Sequence, residues 1–132
     1  MEFVAATPVG FEPDPLFVAS AADDARANGG SVTIVIDPGE AARGAHALYT
    51  DVWTSMGHEN ERERRLRALE SYRVDNTLLG LADPDVVAIH CLPAHLDEEI
   101  TADVLYGPRC LAWEQAENRL HTQKAFMALV IR

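Results

Sequence analysis

Apolar residues along the chain fall into short continuous runs separated by glycine, proline and charged clusters. Phe3-Val4-Ala5-Ala6 reads as a short buried strand ended by Pro8 and Gly10. Asp14-Pro15 opens a helix over 16–28, since aspartate caps and proline suits the first turn. Gly29-Gly30 stops it. The β-branched run Ser31–Ile36 is a second strand. Asp37-Pro38 repeats the capping device for a short helix ending at Gly44. Ala47–Asp51 is a third strand, followed by a loop containing Ser55-Met56-Gly57. The charged segment 62–69 is helical with Leu66 and Leu69 turned inward, and a further helix covers 76–82. Val86–Cys91 is a continuous apolar strand of the kind covered on both faces. A short helix capped by Thr101 runs to Tyr106, and 110–113 forms a last strand. The final helix covers 116–131 and carries Ala125 and Leu129 on an apolar stripe.

This alternation predicts the α/β class: a mostly parallel, Rossmann-like sheet with helices on both faces. The 132 residues suit one domain over 1–132, with no linker or repeat inside it. Ligands of such sheets bind outside the carboxyl ends of the strands, which directs attention to 51–57 and 90–93.

Composition narrows the function classes. The chain is 48% hydrophobic and 24% charged, as packed proteins are. Its 21 acidic and 11 basic residues give a net charge of −10. That argues against nucleic acid and against an anionic membrane surface as partners. The two cysteines, Cys91 and Cys110, have no disulfide or CxxC spacing, and the first residues lack the basic and apolar regions of a signal peptide. A cytoplasmic location with reduced thiols is the expectation.

Several residues could carry chemistry, each with a plainer alternative. Asp51, at a strand end, can bind a ligand ammonium or merely cap the loop. Ser55-Met56-Gly57 can present a hydroxyl and backbone groups or be an ordinary turn. Cys91 can be a nucleophile, a ligand or a polar contact, or a small buried hydrophobe. His90, Cys91 and His95 do not complete a tetrahedral zinc set, so no metal is expected. Arg119, near the start of the last helix, suits an anion or a carbonyl, or a surface ion pair. Neither GxGxxG nor GxxxxGK[ST] nor HExxH occurs.

The strings DVWTSMG at 51–57, HCLPAH at 90–95 and AENRLHTQKA at 116–125, with GFEPDP at 10–15, resemble the ornithine carbamoyltransferases in order and spacing. The resemblance covers nearly the whole chain. It implies the ornithine-binding domain of an enzyme that transfers the carbamoyl group of carbamoyl phosphate to the δ-amine of L-ornithine, giving L-citrulline, without a cofactor. It places ornithine's α-amino group on Asp51 and its amino-acid head against Ser55 and Met56. Cys91 lies beside ornithine and the carbamoyl group, the Leu92 carbonyl meets the carbamoyl amide, and Arg119 polarises the carbamoyl carbonyl.

The departures from the family pattern carry expectations too. The STRTR-like and HPxQ-like segments that bind carbamoyl phosphate do not occur. The resemblance begins at the second strand of the ornithine domain, so the domain is expected to be incomplete at its N-terminus. The absent strand would sit at the sheet's centre, and its loss would leave two strand edges unpaired. Carbamoyl phosphate would be met through the missing half, which also builds the family's homo-oligomers, and this chain is expected to be inactive alone. Leu96-Asp97 stand where many relatives have Arg-Gly, and Asp75 where Asn is common. The alternative reading is a non-catalytic module of this fold that binds an amino acid or a partner chain. A carbamoyltransferase for a related amine is opposed by the Ser-Met-Gly loop.

Overall fold

The computed structural model describes residues 1–54 and 59–131. Strand β1 (Glu2–Ala6) pairs in parallel with β2 (Ser31–Val35), in register from Glu2↔Ser31 to Ala6↔Val35. Helix α1 (Pro15–Ala27) makes the crossover between them. Its start follows from Asp14, whose carboxylate accepts the Leu16 N–H at 2.8 Å. Its end follows from Gly29, which takes φ 69°. Asp37 caps α2 (Pro38–Ala42) in the same way, through the Gly39 N–H at 2.9 Å.

Strand β3 (Ala47–Thr50) pairs in parallel with β4 (Val87–His90), from Ala47↔Val87 to Thr50↔His90. Between them lie α3 (Arg62–Leu69), flanked by single 3₁₀ turns, and α4 (Asn76–Leu79). Helix α5 (Ala102–Leu105) and the long α6 (Ala112–Val130) follow. The parallel pairings and intervening helices are those of the α/β class.

The strands do not join into one sheet. β1 and β2 form one two-stranded sheet, β3 and β4 another. Among the described residues, β1 and β3 are each laddered on one side only. The core is equally one-sided. Val74, Leu79, Val86, Ala88, Ile100, Val104, Leu105, Cys110 and Ala112 form one buried cluster around β4, α4 and α5. Leu48 and Leu92 pack against its margin.

Three expectations change. Phe3 and Val4 are not buried, being 51% and 41% exposed, because no strand covers β1's free side. The last strand shrinks to one bridge, Ala88↔Cys110, held by Ala88 N–H to the Arg109 carbonyl and Leu111 N–H to the Ala88 carbonyl. The backbone turns helical at Ala112, so α6 begins four residues early. Finally, α6 is exposed from Glu117 to Ile131, including Leu129, so its apolar stripe lies on no neighbour. No helix among the described residues is long and apolar enough to cross a membrane.

Candidate functional site

The Thr50↔His90 register sets the site. One residue beyond it on each strand stand Asp51 and Cys91, which parallel pairing delivers side by side at the carboxyl ends. The Cys91 thiol donates to Asp51 Oδ1 at 2.9 Å, and the same oxygen accepts the Val52 N–H at 2.7 Å. Burial pushes the thiol's pKa up, and donation to the Asp51 carboxylate pushes it further. Cys91 is therefore a protonated polar group rather than a ready thiolate. Tyr49 is raised in the same direction, by burial first and then by its contact with Cys91.

Leu92 continues the loop with φ 55°, the left-handed region that costs a branched side chain about 1–2 kcal/mol. Its N–H donates to His90 Nδ1 at 2.8 Å. A nitrogen that accepts is bare, so the neutral ring carries its proton on Nε2. That nitrogen faces Glu99 Oε1 at 3.2 Å, and the same oxygen accepts the His95 N–H at 2.6 Å. His90 and Glu99 are completely buried. Together they tie both ends of the 91–95 loop to the core.

Arg119, two turns into α6, donates from Nη1 to the Cys91 carbonyl at 3.4 Å. Cys91, Leu92 and Arg119 line one open cleft of about 750 Å³, with Trp113 and Leu105 on its apolar wall. Asp51 lies outside that lining and joins the site through its bond to Cys91. Four of the six residues singled out in the sequence thus lie in one connected group. The other two, Ser55 and Met56, lie outside the described residues.

His90, Cys91 and His95 do not converge on a metal. Both ring nitrogens of His90 are engaged, and the Cys91 thiol turns to Asp51. The sequence reading did not single out Glu99. Its only signal was a carboxylate a few residues after a strand-end histidine, which is too common to point anywhere.

Two of the three substituted positions have physical accounts. Asp97 takes φ 65°, a conformation that glycine adopts freely and aspartate tolerates. Its carbonyl accepts from Arg73 at 2.7 Å. Asp75 caps α4, accepting the Leu78 N–H at 2.8 Å, a bond asparagine could also make. Nothing in the structure explains Leu96.

The arrangement offers a carboxylate, a protonated thiol, a backbone carbonyl on a strained turn and a guanidinium at the mouth of an apolar cleft. Such a set can hold an ammonium at one end and a polarised carbonyl at the other.

Known proteins match the chain over nearly its whole length. Residues 1–130 match the family model of the aspartate/ornithine carbamoyltransferase Asp/Orn binding domain. The ornithine carbamoyltransferase of Gloeobacter violaceus is 52% identical over 131 residues, which is 99% of this chain and 42% of that protein. Its crystal structure superposes with a TM-score of 0.90 at 48% identity, covering 100% of this chain and 43% of that one. The Pyrococcus furiosus ornithine carbamoyltransferase gives a TM-score of 0.91 at 47% identity, covering 97% and 41%. An acetylornithine transcarbamylase complexed with acetylcitrulline shares the fold at 29% identity and a TM-score of 0.84, covering 100% and 40%. The chain thus spans about two fifths of the length of these relatives, and by its match over 1–130 it belongs to the aspartate/ornithine carbamoyltransferase family.

Proposed function

We propose that this chain is the ornithine-binding part of an ornithine carbamoyltransferase. The whole protein would transfer a carbamoyl group from carbamoyl phosphate to L-ornithine, releasing L-citrulline and phosphate. The observation that carries this reading is the hydrogen-bonded sequence Asp51–Cys91–Arg119 at the ends of β3 and β4. Relatives named ornithine carbamoyltransferase at about half identity support the choice of amine.

The roles follow from the chemistry of each group. Among the described residues, both bonds that Asp51 accepts fall on Oδ1, which leaves Oδ2 for ornithine's α-ammonium. The δ-amine, in its neutral form, attacks the carbamoyl carbon. The carbon–oxygen bond to phosphate breaks, phosphate leaves with the electron pair, and the nitrogen gives up a proton. Arg119 faces the carbonyl oxygen as it gains charge, where a fixed cation acts best. The Leu92 carbonyl accepts from the carbamoyl amide. Cys91, held protonated, orients the reactants and forms no covalent intermediate. Ser55 and Met56 complete the amino-acid pocket. Most of the rate comes from orienting two bound reactants.

Carbamoyl phosphate would be bound by a second, N-terminal half of the enzyme, through which the assembled protein would be a cytoplasmic homo-oligomer. The 132-residue chain alone is then inactive. The test is calorimetric titration with ornithine, with norvaline as competitor, beside a citrulline assay with both substrates. The expected result is weak ornithine binding, lost in Asp51→Asn, with no turnover. Citrulline above background would overturn the need for a second half. Unchanged binding by Asp51→Asn would overturn the site.

A further inference from the structure

We propose that His95, Glu98 and Glu99 form a divalent-cation site behind the 91–95 loop, of the class that takes zinc. The three side chains each offer one ligand atom, and these atoms lie within 4.8 Å of one another. Ligands on a tetrahedral zinc stand roughly 3.4 Å apart, given metal–ligand distances near 2.1 Å. The site therefore needs a closure of up to about 1.4 Å, which the half-exposed His95 can supply by rotating.

The independent observation is the second oxygen of Glu99. This side chain is completely buried, and while Oε1 accepts two donors, Oε2 has no hydrogen-bond partner among the described residues. A buried carboxylate oxygen without a partner is costly, and a cation would satisfy it. Oε2 already faces His95 Nδ1 at 3.9 Å. Glu98 gives one oxygen to Arg62, which leaves its other oxygen for a metal. Two carboxylates against one guanidinium leave the locality negative, within a chain of net charge −10.

One imidazole and two carboxylates suit zinc better than magnesium or calcium, which prefer oxygen alone. Three protein ligands leave a fourth position to water, so the site is open. It is distinct from the trio weighed in the sequence, because His90 and Cys91 take no part. A cation here would pull His95 onto Glu99 and so tighten the loop that carries Cys91 and Leu92.

The experiment is titration of the full chain with Co²⁺, followed by visible absorption, and displacement by Zn²⁺. The expected result is a saturable ligand-field band at one equivalent that Zn²⁺ abolishes. His95→Ala and Glu98→Gln should each remove the band, and Cys91→Ser should keep it. Thermal unfolding of the metal-free variants should match the wild type, and Zn²⁺ should raise the Tm of the wild type and of Cys91→Ser but not of His95→Ala or Glu98→Gln. Failure to saturate, a band that survives in His95→Ala, or a band lost in Cys91→Ser would each overturn the proposal. Should His95→Ala unfold, His95→Gln serves in its place.

Discussion

Residues 2–35 and residues 74–112 are both built from strands and crossover helices, yet they bury very different amounts of themselves. In the first region neither β1, α1 nor β2 contributes a fully buried residue. In the second, Val74 through Ala112 supply the whole core cluster. Hydrophobicity does not explain the contrast, for SVTIV of β2 is as apolar as VAIH of β4. Neighbours do. β4 has β3 on one side, the Cys110 bridge on the other and α6 against it, and it shares its core cluster with α4 and α5. Among the described residues, β1 has α2 against it and ladders with β2 alone, which leaves its other edge without a strand. An apolar strand is therefore only an offer of burial, and the sheet around it decides whether the offer is taken.

The contrast can be broken by mutation. The largest effect should come from Glu99→Ala, which leaves the buried His90 Nε2–H and the part-buried His95 N–H without their acceptor. A loss of about 3–5 kcal/mol is expected by urea unfolding, from two donors left without an acceptor and the cavity beside them. Glu99→Gln keeps the accepting oxygen and should cost clearly less. Ile100→Ala should follow at about 2–5 kcal/mol, the cost of a cavity in a packed core. Phe17→Ala, in the exposed face of α1, should stay within about 0.5 kcal/mol. Equal costs for Ile100→Ala and Phe17→Ala would erase the distinction between the regions.

Hydrogen exchange sharpens the same comparison without mutation. Amides of β4 should exchange only through global unfolding, and those of β1 and β2 through local opening at lower free energy. Uniform protection across both sheets would show that the two-stranded unit is held by more than its own ladder.

The smallest effect concerns Cys91, at the border of the packed region. Its pKa is raised, so it favours the neutral thiol in the fold. The stability this contributes is complete below the ordinary thiol range and is lost as pH rises through the raised value. Asp51→Asn removes the carboxylate that favours the thiol, so alkylation by iodoacetamide at neutral pH should quicken several-fold. An unchanged rate would mean that burial alone sets the shift. Cys110, buried in the core, is the internal control.

The capping devices and period of the sequence determined a good deal. Asp14-Pro15, Asp37-Pro38 and the glycines at 29 and 44 set the ends of α1 and α2 within a residue or two, because those interactions are local. Continuous apolar runs identified β2 and β4, and alternation gave the α/β class. The strings around Asp51, Cys91 and Arg119 marked segments that the fold brings together.

Tertiary structure alone decided the rest. Asp51 and Cys91 are forty residues apart, and only the Thr50↔His90 register brings the thiol onto the carboxylate. The Glu99 tether depends on a loop folding back beneath His90, for which no local propensity exists. The separation into two sheets, the exposure of Phe3 and the early start of α6 likewise follow from which surfaces find a neighbour. The physical reason is common to all of them. Caps and periodicities act over a turn or a few residues, whereas burial, register and convergence of side chains depend on contacts that the chain makes only when folded.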